Sequence, residues 1–322
     1  MTAGFDTGSV RLRLRGEGGK VLTTDVCSQR PLVAGLLQGR RADDAVTLLP
    51  KVFAVCGRAQ GLAAQLAVSA ARGEELLPCL VPDIVSEVMR EHLWRYLLDL
   101  PALFSLLPMH EQFLNAVRWV DADQREALRT LLAACEISRL SESIEAMEQP
   151  LPGKAALLQV HSARASLGDW GRLDLEMSRM PTWHGHSAET GAYARYGGDT
   201  VTSCGAFAAR WLARLAELET WAAGGQNIGA GGTASAVSVA PGVGRALVET
   251  ARGLLMHEVV LEDDRISDYR IVAPTEWNFH PQGPLPGWLI GRDCSNEVEL
   301  RRFAAHAVAA LDPCVRWELT LE

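Results

Sequence analysis

Lysine is scarce in this chain of 322 residues: Lys20, Lys51 and Lys154 are the only three, so nearly all of the positive charge is arginine. Positive charge as a whole is also outnumbered, since 31 lysines and arginines face 39 aspartates and glutamates and leave a formal net charge of −8. A protein that binds nucleic acid usually presents a basic face to the phosphates. The charge balance therefore argues against a nucleic-acid partner.

Long apolar stretches are missing as well. No uninterrupted run approaches the roughly 18 residues that a helix needs to cross a bilayer. The first ten residues, MTAGFDTGSV, have neither the basic start nor the apolar centre of a secretory signal. The seven cysteines are an odd number scattered through the chain, which is not a disulfide framework. These features predict a cytoplasmic protein without a membrane partner.

Apolar residues recur at helical spacing along much of the chain. Helices are predicted, in order, within 31–71 and at 83–100, 121–147, 205–222 and 297–311. Pro101 is expected to end the second of these, because proline lacks the amide that continues a helix. Asp121 is expected to cap the start of the third.

Strands are predicted in two hairpins, at 9–27 around a glycine-rich turn and at 254–273 around Asp263-Asp264. The stretch from about 150 to 200 shows no steady period and is interpreted as irregular. The glycine-rich loop at 223–233 is not a phosphate loop, because no Lys-Ser or Lys-Thr pair ends it. The prediction is a single α+β domain over 1–322, predominantly α-helical, with small β-sheets.

Two short motifs near opposite ends each contain one cysteine. The first reads Val55-Cys56-Gly57-Arg58-Ala59 and is followed by Ala63; the second reads Asp312-Pro313-Cys314-Val315-Arg316-Trp317. Between them, residues 249–278 read ETARGLLMHEVVLEDDRISDYRIVAPTEWN. Together, in this order, the three segments resemble the large subunit of nickel–iron hydrogenases. That family has Arg-x-Cys-Gly-x-Cys-x-x-x-His, Glu-Ala-Pro-Arg-Gly…His…Pro-Thr-x-Trp-Asn and Asp-Pro-Cys-x-x-Cys-x-x-His.

The resemblance assigns roles to five residues. Cys56 and Cys314 take the places of terminal cysteine ligands and are predicted to bind metal. Arg252, Pro274 and Thr275 take the places of residues that line the pocket of the iron's cyanide and carbonyl ligands, and are predicted to bind that cofactor. The implied fold is that of the hydrogenase large subunit.

The two cysteines that would bridge nickel and iron are replaced by Ala59 and Trp317, and Ala63 stands in place of the first motif's histidine. Soft thiolates suit nickel, and a dinuclear centre needs the shared pair. Nickel binding is therefore not expected. A cyanide nitrogen accepts hydrogen bonds, so Arg252 and Thr275 remain useful donors to an iron unit.

This combination is similar to the accessory proteins of the HupK/HoxV type. The resemblance implies a non-catalytic scaffold or chaperone that carries an iron unit, Fe(CN)2(CO), transiently before its transfer to the hydrogenase large subunit. The implied partners are a small HypC-like chaperone and a HypD-like iron scaffold, with the immature large subunit as a further candidate. Two alternatives stay open: a divergent hydrogenase with a reduced ligand set, and a metal-free placeholder that binds maturation partners.

Structural interpretations compete for several residues. Arg252 could be a buried ion-pair partner of Glu249 or another acid, and Thr275 could cap a turn. His184 and His186 lie close together without a third ligand nearby in sequence, which makes a metal site there the less favoured interpretation. Cysteine is often a small core residue, and this interpretation is preferred for Cys27, Cys79, Cys135, Cys204 and Cys294.

Eight residues follow Cys314, and none is a histidine. Catalytic large subunits carry a C-terminal segment that a protease removes once nickel has arrived. The resemblance without such a segment predicts that this protein keeps its encoded C-terminus and does not depend on that protease.

Overall fold

The computed structural model describes residues 8–29, 34–134, 156–158, 161–196, 205–225, 228 and 232–322. Helices predominate over strands, as predicted. The helices are α1 (Ala34–Leu37), α2 (Ala42–Val52), α3 (Gly57–Ala71), α4 (Pro82–Trp94), α5 (Leu100–Leu103), α6 (His110–Asp121), α7 (Arg125–Ala134), α8 (Ser166–Trp170), α9 (Ala192–Arg195), α10 (Ala206–Ala222), α11 (Pro274–Asn278), α12 (Pro284–Leu289) and α13 (Glu297–Leu311). The strands are β1 (Ser9–Glu17), β2 (Lys20–Gln29), β3 (Leu76–Cys79), β4 (Ala156–Leu157), β5 (Ala188–Glu189), β6 (Ala234–Ala240), β7 (Val243–Thr250), β8 (Gly253–Glu262), β9 (Arg265–Val272) and β10 (Arg316–Leu321).

Both predicted hairpins are confirmed. β1 pairs antiparallel with β2, and β8 pairs antiparallel with β9. The turn between β8 and β9 places Asp263 and Asp264 at φ values of 50° and 59°. This left-handed backbone is what a two-residue hairpin turn requires, and aspartate tolerates it better than most residues.

The sheets are larger than the sequence predicts. The second hairpin belongs to a five-stranded sheet in the order β3-β6-β7-β8-β9, and the first gains β10 in the order β10-β1-β2. β7 is buried at every position, so its sequence lacks the alternation that marks a half-exposed strand. β10 runs parallel to β1, with Trp317 opposite Val10. The segment that follows Cys314 is thereby fixed to the N-terminal hairpin.

The predicted end of a helix at Pro101 is wrong. A π-helical turn, Arg95–Asp99, continues α4 directly into α5, and Pro101 is buried inside this continuation. Proline cannot donate to the carbonyl four residues earlier, that of Leu97. The backbone amide of Met109 donates to that carbonyl instead, at 2.7 Å. The chain therefore stays helical because a residue from beyond the helix satisfies the orphaned acceptor.

The predicted start of a helix at Asp121 is also wrong. Asp121 is the last residue of α6, and a turn with Asp123 in a left-handed conformation separates α6 from α7. The predicted extension of this helix over 135–147 lies outside the described residues. The helices at 205–222 and 297–311 are confirmed, by α10 and α13.

Helix α3 lies against the five-stranded sheet at very short range. A β-carbon on Gly244 of β7 would lie 2.0 Å from the carbonyl oxygen of Ala67, so only glycine fits at this crossing. The α3 face at the crossing is built from alanines, including Ala64, Ala67 and Ala70, all fully buried. The small residues let backbone approach backbone. They fix α3 on the sheet, and with it the position of Cys56 at its start.

Short elements occupy the region predicted to be irregular. Within 161–196, α8 and α9 have five and four residues, and β5 has two. Across the described ranges, no helix combines the length and apolar character needed to traverse a bilayer.

Candidate functional site

Cys56 stands at the N-terminus of α3. It ends a 3-10 turn, Ala54–Cys56, and is the residue that precedes the first turn of the helix. The side-chain amide nitrogen of Gln60, one turn along, lies 3.7 Å from the Cys56 sulfur. The carboxylate of Glu87 accepts from the backbone amides of Arg58 and Ala59 at 2.9 and 3.0 Å. A side chain of α4 therefore anchors the turn that carries Cys56.

Arg252 occupies the two-residue turn between β7 and β8, at one end of two interior strands of the five-stranded sheet. Its backbone is fixed on both sides. The side-chain amide of Asn278 donates to the Arg252 carbonyl at 3.1 Å, and the Arg252 amide donates to the Thr250 hydroxyl at 3.2 Å. The two ends of the 249–278 segment therefore hold each other, and the turn is rigid.

The Arg252 guanidinium is buried and forms ion pairs with two carboxylates. Its Nη1 lies 2.9 Å from Glu91 Oε2, and its Nε lies 3.2 Å from Asp312 Oδ1. Burial opposes the charge, but Asp312, Glu91 and the sulfurs of Cys314 and Cys56 together raise the pKa of Arg252 above its ordinary value. Glu249 pairs with Arg195 at 2.8 Å instead. Arg252 is thus both an ion-pair partner and a neighbour of both cysteines.

Cys314 lies between α13 and β10, and Thr275 contacts it. The Thr275 hydroxyl is 3.1 Å from the Cys314 sulfur and also accepts from the Cys314 amide at 3.3 Å. Thr275 is buried in α11, where Pro274 is the first residue and Ala273 the residue before the helix. The side chain of Thr275 therefore faces the cysteine rather than capping a turn.

Asp312 sets the direction of the Cys314 loop. It ends α13 in a left-handed conformation, with φ of 56°, and its carboxylate is buried. Arg95 Nε lies 2.7 Å from the carboxylate, and the Arg95 guanidinium donates to the Pro313 carbonyl at 3.3 Å. Burial works to raise the pKa of Asp312, but Arg252, Arg95 and Arg214 outweigh it and hold that pKa well below its usual range.

A cavity of about 730 Å³ opens beside these groups. Cys314, Arg252 and Asp312 line its inner part, and Trp317 is also among its lining residues. Val55 and Trp94, which line the same cavity, are each about half exposed at 47% and 48%. The cavity thus leads from the surface to the sulfur of Cys314.

The positions that the resemblance aligns with the lost ligands are packed. Ala59 and Ala63 are fully buried in the main apolar cluster. Trp317 is half-buried in β10, where it packs against the same cluster. None of these side chains offers a metal donor.

The structure brings Arg252 and Cys314 into the lining of one cavity, and places Pro274 and Thr275 in the helix that contacts Cys314. Cys56 also acts on Arg252 electrostatically. Their predicted roles in binding metal and cofactor stay predictions. Sequence reasoning missed Glu87, Glu91 and Arg95, which connect α4 and the turn after it to the start of α3, to Arg252 and to the loop before Cys314. The available signal was their spacing of four residues in a predicted helix.

Elsewhere in the described part of the chain, histidine and cysteine form no comparable centre. Within the described ranges, no group of three or more His, Cys, Asp or Glu side chains is arranged to hold a metal ion. His184 is exposed and its Nε2 lies 3.9 Å from Asp169. Cys27, Cys79 and Cys294 are partly buried, and Cys135 and Cys204 lie outside the described residues.

Comparison with solved structures identifies the class of fold. The chain aligns with the Ni-Fe-Se hydrogenase from D. vulgaris Hildenborough at a TM-score of 0.62 and 15% identity, over 93% of this chain and 94% of that one. The corresponding enzyme from Desulfomicrobium baculatum gives 0.57 and 13%, over 94% and 95%. The family model for nickel-dependent hydrogenases matches residues 201–315. The fold is therefore that of the nickel–iron hydrogenase large subunit, as predicted.

Closer relatives identify the family within that fold. The hydrogenase expression/formation protein HoxV of Cupriavidus necator is 31% identical, over 90% of this chain and 91% of its own. HupK of Bradyrhizobium diazoefficiens is 29% identical over 90% of both chains, and HupK of Azotobacter vinelandii 28% over 98% of both. The chain belongs to the HoxV/HupK family of hydrogenase expression/formation proteins.

Proposed function

We propose that this protein is a non-catalytic scaffold of nickel–iron hydrogenase maturation, which holds an Fe(CN)2(CO) unit between Cys56 and Cys314 before transfer to the large subunit. It acts in the cytoplasm with a small HypC-like chaperone, a HypD-like iron scaffold and the immature large subunit as partners. The names of its relatives, hydrogenase expression/formation proteins, support the general role. The iron cargo is the more specific part of the proposal.

The observation that carries the cargo proposal is that Thr275 contacts Cys314 and that Arg252 lines the same cavity as Cys314. Thiolate sulfur is a soft donor that suits low-spin iron. The Thr275 hydroxyl, 3.1 Å from the Cys314 sulfur, is positioned to donate to a thiolate there. A guanidinium has five N–H donors, and Glu91 lies nearest its Nη1 and Asp312 nearest its Nε, which leaves the Nη2 donors for a cyanide nitrogen.

The same geometry disfavours a permanent nickel centre. A dinuclear site shares two thiolates between its metals, and Ala59 and Trp317 supply none. The cavity that leads from Cys314 to the half-exposed Trp94 supports exchange, because a cargo can enter and leave without opening the apolar core. A site that retains iron donors but lacks the bridging pair fits a carrier better than a catalyst.

Infrared spectroscopy tests the proposal on protein isolated from a host with complete maturation machinery. We expect cyanide and carbonyl stretching bands from the wild type, and loss of all of them in Cys56→Ser and in Cys314→Ser. Cys27→Ser is the matched control, because Cys27 is also partly buried but lies on β2. Iron analysis should follow the bands.

Two outcomes would overturn the proposal in different directions. Wild-type protein without these bands, from a host whose hydrogenase matures normally, would leave the metal-free placeholder. About one bound nickel per chain together with reaction with hydrogen would instead make the protein a divergent hydrogenase.

A further inference from the structure

One helix reaches all three segments of the site. Glu87 and Glu91 lie in α4, and Arg95 begins the π-helical turn that continues it. Residues four apart on a helix share a face, so these three side chains project in one row. Each contacts a different segment: the start of α3, the turn between β7 and β8, and the loop before Cys314.

Glu87 fixes the cysteine at the start of α3. Its two carboxylate oxygens accept from the backbone amides of Arg58 and Ala59, the second and third residues after Cys56. The first amides of a helix have no partner within the helix, and a carboxylate there is stabilised by the helix dipole. Loss of Glu87 releases the turn that carries Cys56.

Glu91 fixes the arginine. Its carboxylate lies 2.9 Å from Arg252 Nη1, and its side chain is 17% exposed. Asp312 approaches the same guanidinium from its Nε side. The two acids therefore hold the plane of the guanidinium between them and select which N–H groups face the cysteines.

Arg95 fixes the second cysteine. It lies 2.7 Å from Asp312 and donates to the carbonyl of Pro313, so it contacts both residues before Cys314. It also pairs with Asp99 within the π-helical turn. π-helical turns inside α-helices are found frequently at functional sites.

We propose that Glu87, Glu91 and Arg95 are positioning residues that set the separation of Cys56 and Cys314 and the orientation of Arg252 between them. A helix rises about 1.5 Å per residue, so Glu87 and Arg95, eight residues apart, are separated by about 12 Å along its axis. The row therefore works as a rigid spacer: α4 fixes where the two sulfurs stand. The separation of the sulfurs decides whether one iron can bind both.

Apolar packing attaches much of α4 to the protein, beside a buried contact of His92 with Glu217 at 2.7 Å. The other face of the helix buries Ile84, Val88, Met89 and Leu93. Charged groups are costly to bury, and apolar residues would serve a purely structural contact as well or better. Three charged contacts that all converge on the cysteine pocket are therefore explained by the geometry of that pocket.

The first test uses the metal-free protein and a short bifunctional thiol reagent, with the Cys56–Cys314 product identified by peptide mass spectrometry. We expect the product in the wild type and a several-fold lower yield in Glu87→Ala and Arg95→Ala. Arg95→Lys should give an intermediate yield, because lysine can reach Asp312 but lacks a second nitrogen for Pro313. The control is Arg90→Ala, which removes an ion pair of α4 with Asp121 on α6.

The second test addresses Arg252 and rests on the proposed function, because it needs the loaded protein. Glu91→Gln keeps the size of the side chain and removes its charge, so the fold and the cross-link should persist. The cyanide stretching bands should shift, because a donor to the cyanide has changed its charge environment. Arg90→Ala should leave the bands in place.

These readouts separate the two proposals. Absence of infrared bands from the wild type would end the cargo proposal and leave the cross-link result valid. Equal cross-link yields in wild type, Glu87→Ala and Arg95→Ala, with all proteins folded by circular dichroism, would overturn the spacer proposal. If Arg95→Ala does not fold, Arg95→Lys takes its place. A wild-type cross-link yield in Arg95→Lys, together with unshifted cyanide bands in Glu91→Gln, would then overturn the spacer proposal.

Discussion

The first two turns of α3 adjoin two different environments. Cys56, at the start of the helix, acts electrostatically on Arg252, and the residue before it, Val55, lines the open cavity. Ala59 and Ala63 face a closed interior without exposed surface. Gln60 connects the two: its nitrogen points to Cys56, and its oxygen lies 3.0 Å from His257 Nε2.

The closed side also contains a buried histidine, His257. His257 also contacts the hydroxyl of Tyr269 at 2.8 Å, and both residues are fully buried. Burial lowers the pKa of His257 to about 3. The imidazole is therefore uncharged at neutral pH, and an uncharged side chain is the form that such an interior accepts at least cost.

The two sides differ in how easily their side chains can be replaced. By the resemblance, Ala59 and Ala63 stand where a bridging cysteine and a histidine would be, and each alanine fills its place without leaving a polar atom unpaired. The open side does not allow such piecewise replacement. Removing one member of the Arg252, Glu91 and Asp312 group takes one partner from a buried charge, which destabilises the protein.

The largest effect is expected from a variant that restores the thiolates that the resemblance places at positions 59 and 317. In Ala59→Cys/Trp317→Cys, two further thiolates join Cys56 and Cys314, and we expect binding to rise from little or no nickel toward about one per chain. A sulfur at the fully buried position 59 overfills the core, so unfolding should become about 1–3 kcal/mol easier. Nickel is measured by elemental analysis after dialysis.

Each single variant serves as a control for the pair. Ala59→Cys and Trp317→Cys alone add one thiolate and should bind nickel less tightly than the double variant. A wild type that already holds about one nickel per chain would contradict the contrast between the two sides.

Burial of His257 on the closed side should make the free energy of unfolding depend on pH. In the unfolded chain His257 binds a proton near pH 6.5, whereas in the folded protein it stays neutral down to about pH 3. Its contribution is complete above pH 6.5 and is lost as the pH falls, by about 2 kcal/mol between pH 6.5 and 5. In His257→Gln this loss is absent, because glutamine does not titrate.

Urea unfolding at pH 7 and at pH 5 measures the effect. The stability gap between wild type and His257→Gln should shrink by about 2 kcal/mol at the lower pH, since the contributions of other groups cancel in the difference. A gap of the same size at both pH values would mean that His257 accepts a proton in the folded state.

The sequence predicts the family fold and the residues of the pocket because those features are local patterns. Cys56, Arg252 and Cys314 are recognisable from the residues beside them. The ion-pair partners of Arg252 are not recognisable in this way. Glu91 and Asp312 are 221 positions apart in sequence and both reach Arg252 only through tertiary packing. The sequence therefore offers Glu249 as the partner of Arg252, whereas the fold assigns it to Arg195.

Secondary structure failed where burial or tertiary contact overrides local preference. β7 is buried on both faces and has no alternation to detect. The helix continues past Pro101 because the amide of Met109 reaches the free carbonyl of Leu97 from outside. Neither reason is visible in the sequence of the element itself.

The smallest effect is expected on the open side, from Thr275→Val. Valine matches threonine in shape but removes the hydroxyl that lies 3.1 Å from the Cys314 sulfur and accepts from the Cys314 amide. One hydrogen bond contributes about 1 kcal/mol, so the iron unit should leave about fivefold faster. The decay of the cyanide and carbonyl bands after transfer to cargo-free buffer measures the rate.

Thr275→Ser decides whether the hydroxyl or the packing of the methyl group is responsible. Serine keeps the oxygen and loses the methyl, so Thr275→Ser should retain the iron unit nearly as long as the wild type. Equal release rates in Thr275→Val and Thr275→Ser would assign the effect to packing in α11. The open side would then hold its cargo through the thiolates and Arg252 alone. The contrast with the closed side would rest on charge rather than on hydrogen bonding.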